Sequence, residues 1–247
     1  MADNQELMRT PEAGNQRGLV THAVFVGLTP LIPVPILDDL VQGYFRRRLV
    51  RTLAASHGHA LSAEEVGALV AERGGGCLRG CVAQAVLYPL KKIFRKVFYF
   101  LEWKRAADLT SQTYHFGYLL NYALQPRADG SSLISLRGAA EVRAAIDAVC
   151  LEAPIKPVES AVGGTFRQSK RVLRSAASLL GQALRRVTGS RPDEEEVARV
   201  IEAVEPEEER EIETVVTRMQ KSLANVPEEH FRNLRARLDA RLGLPPG

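Results

Sequence analysis

The sequence predicts an all-α protein, a multi-helix bundle with a smaller, charged helical region at its C-terminus. Three observations carry this. No segment alternates apolar and polar residues in the manner of a half-buried strand. Apolar residues instead recur at helical spacing, as in Val41, Phe45, Leu49 and Leu53, and in Leu90, Ile93, Phe94, Val97, Phe98 and Leu101. Helix punctuation falls between these runs: the capping pair Ser62 and Glu65, the glycines Gly58 and Gly74, and the prolines Pro192, Pro206 and Pro227.

The 247 residues are 45% hydrophobic and 25% charged, a composition that suits a soluble globular chain of one large or two small domains. The net charge of +4 is unevenly spread. Leu40 to Thr110 holds twelve Lys/Arg against five Asp/Glu, and Phe166 to Arg191 holds seven basic residues and no acid. Asp193 to Glu213 reverses this, with eleven acids against two arginines. The pattern predicts two cationic surfaces and one acidic segment. Cys77, Cys81 and Cys150 cannot make a full disulfide framework, so they read as free thiols of a reducing compartment.

Residues 1–17 are polar, lack the basic-then-apolar order of a signal peptide, and are expected to be disordered. Gly18 to Leu37 then runs twenty residues without a formal charge, the length of a bilayer span. Pro30, Pro33 and Pro35 argue against a span, because each removes a backbone donor and costs an interior helix about 3 kcal/mol. Lipid offers no replacement hydrogen bonds. The expected result is a short helix over Leu19 to Leu28 followed by an extended turn over Thr29 to Leu37.

Asp38 is placed to cap a helix running to Ser56, with Arg46, Arg47, Arg48 and Arg51 off its apolar line and Gly58 as its stop. Ser62 and Glu65 open the next helix, which should close at Gly74. Small residues from Gly76 to Leu87 form another. Leu90 to Arg105 carries the apolar stripe given above, with Lys91, Lys92, Arg95 and Lys96 beside it and Trp103 near its far end. A separate aromatic-rich helix is expected from Ala106 to Leu124. Asp129-Gly130 marks a turn, and Ser135 can cap a helix to Leu151. Pro154 and Pro157 read as a linker between a helical domain of residues 18–153 and a C-terminal helical region of residues 154–247. In the latter, a basic helix from Thr165 to Val187 precedes three proline-bounded helices.

Motifs for chemistry are sparse. His57 and His59 flank a helix-ending glycine and read as polar residues around a C-cap. Cys77 and Cys81 lie one turn apart without the paired spacing of a zinc site. The glycines of RGGGCLRG miss the dinucleotide spacing, and no GxxxxGK[ST] occurs. Gly163-Gly164 reads as a flexible lead into the basic helix, or else as an anion cradle. No GxSxG elbow is present, and His115 reads as part of a packed aromatic face. No catalytic, cofactor or metal-ligating residue is therefore assigned.

The segments Pro33-Val34-Pro35-Ile36-Leu37-Asp38, Arg48-Leu49-Val50-Arg51, His57-Gly58, Leu61 to Glu65 and Gly74-Gly75 occur in that order. In this the chain resembles a bacterial helical domain of unknown function. That domain lies C-terminal to some Era-like GTPases and also occurs in stand-alone membrane-associated proteins. The likeness runs from Ala23 to Leu124. It implies a helical, membrane-associated, non-enzymatic protein and assigns no catalytic residues. The Leu90–Arg105 segment is more charged than the paired apolar helices of such domains.

The functional expectation is peripheral association with an anionic membrane surface, or with a membrane-bound partner, through basic amphipathic helices. The contact residues are Lys91, Lys92, Arg95, Lys96, Trp103, Arg167, Lys170, Arg171 and Arg174. Nucleic acid rewards the same cations, but no recognised binding motif accompanies them. The alternatives are a soluble adaptor for another protein, its acidic segment masking the basic helix, and a metal-dependent hydrolase. The expected location is the cytoplasm or the cytoplasmic face of the inner membrane.

Overall fold

In the computed structural model, residues 11–32, 38–71, 95–187, 194–202 and 206–244 are described. They form eleven α-helices and one short 3₁₀ turn, with no strand among the described residues. The helices are α1 (Pro11–Leu28), α2 (Asp38–Ser56), α3 (Ala63–Val70), α4 (Arg95–Leu124), α5 (Leu133–Arg137), α6 (Ala139–Glu152), α7 (Lys156–Gln168), α8 (Lys170–Val187), α9 (Glu194–Glu202), α10 (Pro206–Leu223) and α11 (Glu228–Arg241).

The axis of the bundle is α4, whose 30 residues span about 45 Å. Nothing between Trp103 and Asp108 stops a helix, so the two helices expected on either side of Ala106 are one. Against α4 lie α1, α2, α6, α7 and α11. Glycines set the closeness of α1 to α4. A Cβ at Gly117 would run into Leu19 Cδ1. One at Gly27 would run into Thr110 Oγ1 and stand 2.8 Å from the Ala106 carbonyl oxygen.

α1 begins at Pro11, so residues 11–17 are helical and the disordered segment expected over residues 1–17 is corrected there. Pro30 sits in the first turn of the 3₁₀ helix Thr29–Leu31, where its missing N–H costs nothing. Pro33 and Pro35 lie outside the described residues. α2 has the predicted bounds, and Gly58 (φ 73°) turns the chain after it. The capping box that opens α3 is complete: Ser62 Oγ accepts from Glu65 N at 3.2 Å, and Ser62 N donates to Glu65 Oε2 at 2.8 Å. α3 ends at Val70, before the predicted Gly74. The helix expected over 76–87 lies outside the described residues.

Three further boundaries differ. Ser132, not Ser135, caps a helix: its Oγ accepts from Ser135 N, and the resulting α5 stops at Gly138, whose φ of 81° starts a new direction. Pro157 belongs to the first turn of α7, which absorbs most of the expected linker. The single basic helix expected from Thr165 to Val187 is two helices meeting at Ser169, and Gly163 and Gly164 lie inside α7, where they cannot cradle an anion at a helix start.

The helices after residue 154 share the core of those before it. α7 packs on α4, α10 on α1 and α7, α9 on α2 and α8, and α11 on α4 and α6. Val197, Ile212, Val215, Val216, Leu234 and Leu238 join Leu28, Leu49, Leu119, Leu120 and Ile146 in one apolar cluster.

Candidate interaction surface

α4 buries one face and leaves apolar side chains exposed off it. The buried face is set by Trp103, Ala106, Ala107, Thr110, Tyr114 and Gly117. At about 100° per residue, Leu101 of the predicted stripe lies roughly half a turn away from it. Leu101 is the member of that stripe whose side chain is described, and it is 50% exposed. Phe100, its neighbour, is 68% exposed. One turn on, Lys104 and Arg105 are exposed beside them. Sequence reasoning left those two cations out of the contact set, although their i+4 spacing from Phe100 and Leu101 was a sufficient signal.

Trp103 corrects an expectation. It is only 7% exposed, so it is a packing residue and not a surface contact. Its ring stands edge-on to Phe166 of α7, 6.3 Å between centroids, and the Lys170 ammonium lies 5.8 Å above it. This contact brings the α7–α8 corner to the same end of α4 as Phe100 and Leu101. The corner itself is set by Ser169. Its N–H donates to the Thr165 carbonyl (3.0 Å), its carbonyl accepts from Leu173 N (3.0 Å), and its Oγ accepts from Arg218 of α10 (2.8 Å). Around it Arg167, Lys170, Arg171 and Arg174 are all exposed. Lys91 and Lys92 lie outside the described residues, as do the side chains of Arg95 and Lys96 in the first turn of α4.

Acids temper this surface at one edge. Asp108, one turn beyond Lys104, has its carboxyl pushed above the usual range chiefly by burial; Lys104 opposes the shift and Glu159 of α7 adds to it. The acidic helix α9 packs against α8 and α2.

The other sequence candidates are structural. His57 and His59 are not merely exposed groups at a C-cap. His57 Nε2 donates to Asn121 Oδ1 at 2.9 Å and His59 Nε2 to the Leu124 carbonyl at 3.0 Å, which ties the end of α2 to the end of α4. His115 is packed among aromatic rings, as expected. Cys150 is a free, half-buried thiol, and burial pushes it up to about 12. Cys77 and Cys81 lie outside the described residues, as do the side chains of Asp38 and Asp39. Among the described residues no three His, Cys, Asp or Glu side chains gather as a metal site. Among the same residues no helix is long and apolar enough to cross a membrane.

Fold and surface together define an all-α bundle with a cationic helix corner and exposed apolar side chains at the same end of α4. Comparison of the chain with protein-family models, with curated proteins and with solved structures returns no match.

Proposed function

We propose that this protein is a non-enzymatic helical protein that binds peripherally to an anionic membrane surface, through the N-terminal end of α4 and the α7–α8 corner. The observation that carries the reading is the phase of α4: Leu101 lies about half a turn from the face that α4 buries, and Phe100, Lys104 and Arg105 flank it in the open. A helix face of this composition suits the boundary between headgroups and acyl chains. Six exposed cations (Lys104, Arg105, Arg167, Lys170, Arg171 and Arg174) near an anionic surface would contribute about 1 kcal/mol each at most. Partial burial of Phe100 and Leu101 adds about 1–3 kcal/mol more. Together these give binding that is reversible and sensitive to salt. The resemblance noted in the sequence, and a location on the cytoplasmic face of the inner membrane, accord with this reading.

Sedimentation with vesicles tests it. Phosphatidylglycerol-containing vesicles should pellet the protein at low salt, pure phosphatidylcholine vesicles should not, and raised salt should release it. Arg167→Glu with Arg171→Glu, and separately Phe100→Ser with Leu101→Ser, should each weaken binding while leaving the circular-dichroism spectrum unchanged. Binding that ignores both salt and these variants would refute the proposal.

The adaptor reading draws on the packing of acidic α9 against basic α8 and α2. Removing the acidic segment cannot test it, because Val197 and the apolar residues of α10 and α11 belong to the core. Glu195→Lys on the exposed side of α9 tests it instead. Tighter binding to an immobilised polyanion supports masking, and unchanged binding removes it.

A further inference from the structure

Two imidazoles stand facing each other between α4 and α11. His115 is 1% exposed and His230 9% exposed, and their Nε2 atoms are 3.1 Å apart. The rings meet edge-on with centroids 5.3 Å apart, next to Tyr114 and Phe231. Their neighbours fix the tautomers. His115 Nδ1 lies 2.8 Å from the Ser111 carbonyl oxygen, which can only accept, so Nδ1 carries the proton of that ring. The bare Nε2 of His115 then accepts from the Nε2–H of His230. His230 Nδ1 makes no hydrogen bond among the described residues.

No carboxylate of the described residues is hydrogen-bonded to either ring. On α11, Asp239 accepts from Tyr122 Oη at 2.7 Å and lies 3.6 Å from Arg127, while Glu228 and Arg235 act on Tyr118 of α4. Glu152 of α6 pairs with Arg241. From α1, the uncharged amide of Gln16 meets Tyr114.

We propose that His115 and His230 form an acid-sensitive latch, which holds the first two turns of α11 on α4 while the pair is neutral and releases them as the pair is protonated. The first proton enters at His230 Nδ1, the bare nitrogen of the less buried ring. It places a cation in a buried setting with no carboxylate of the described residues hydrogen-bonded to it. The second leaves two Nε2–H donors facing each other with no acceptor between them. Burial lowers both imidazoles, and the charge of His230 opposes protonation of His115 further, so the two titrate as a coupled pair. From Leu234 onward α11 is fastened separately, by Leu234 and Leu238 in the core, by Tyr122–Asp239 and by Arg241–Glu152. Release is therefore local.

Amide hydrogen exchange on the full chain at pH 7.5 and pH 5, corrected for intrinsic rates, tests the latch by comparing residues 228–234 with residues 235–241. Protection of the first window should fall by about tenfold or more at pH 5, and that of the second by less than about twofold. In the His115→Gln/His230→Gln variant the two windows should keep one ratio at both pH values. Unchanged protection of the first window, or equal loss in both, overturns the proposal. Should the variant fail to fold, the imidazole Cε1–H resonances of the wild-type protein decide. Both rings titrating below the value of an unfolded chain supports the latch, and either ring titrating at that value overturns it.

Discussion

Replacing Gly27 with alanine adds one methyl group where α1 crosses α4. Two opposite terms compete. In an open helix the change stabilises by about 0.5–1 kcal/mol, because glycine loses more backbone freedom on folding. Here the new Cβ would run into Thr110 Oγ1 and stand 2.8 Å from the Ala106 carbonyl oxygen. The first atom can rotate away, but only by giving up its hydrogen bond to that carbonyl (2.9 Å), at about 1 kcal/mol. The second atom is backbone and moves only with α4 itself. Overpacking of this kind costs about 1–3 kcal/mol. The net effect is a loss of about 1–3 kcal/mol, or a fall in Tm of roughly 2–10 °C for a chain of this size. Gly163→Ala in α7 is the matched control, since its Cβ would meet nothing within 4 Å. That variant should gain about 0.5–1 kcal/mol. Thermal melts and urea midpoints of both variants give the comparison. In Gly27→Ala/Thr110→Ala the loss should be less than the sum of the single changes by about 0.5 kcal/mol or more. If Gly27→Ala stabilises as Gly163→Ala does, the α1–α4 spacing described above is wrong.

Three other outcomes are expected. Tyr122→Phe removes the hydroxyl that Asp239 accepts from at 2.7 Å and leaves a buried carboxylate short of a donor, so the urea midpoint should fall by the equivalent of about 1–3 kcal/mol. His115, lowered from 6.5 to about 4 mainly by burial, binds a proton more weakly folded than unfolded. Stability should therefore be full above pH 6.5 and decline as pH falls toward 4, by about 3 kcal/mol in all; a urea midpoint unchanged between pH 7.5 and pH 5 would contradict this. Cys150, its thiol pushed up to about 12, should resist alkylation at pH 8 in the native protein and react once urea unfolds it, as mass spectrometry would show.

Local grammar made much of the fold legible. Ser62 with Glu65, Gly58, Pro206 and Pro227 each act within one turn of chain, and each marks a boundary where the sequence placed it. The errors came where a signal had two uses. Proline in the first turn of a helix and proline in a linker look alike, which is why Pro157 read as a linker. Ser132 and Ser135 are both competent caps, and only Gly138 with its φ of 81° decides between them. The break at Ser169 carries no proline or glycine to mark it, and the serine hydroxyl there accepts from Arg218, forty-nine positions away. The pairs His115–His230 and Tyr122–Asp239 were illegible for the same reason, since each joins α4 to a helix more than a hundred residues on.

The candidate surface shows how far periodicity alone carries. An apolar stripe says that a face seeks to leave water, not where it goes. Trp103 and Leu101 both follow a basic, apolar run and differ by two positions, about 200° around the helix. Trp103, expected among the contact residues, is an amphipathic aromatic of the kind that favours interfaces. It packs inward because the second half of α4, from Ala106 to Leu124, is long enough to fix the rotation of the whole helix against α1 and α7. Once that rotation is fixed, no further packing of the described helices buries Leu101. The cations at Lys104 and Arg105 share its side, so the same constraint that seats Trp103 in the core turns an apolar and basic face outward.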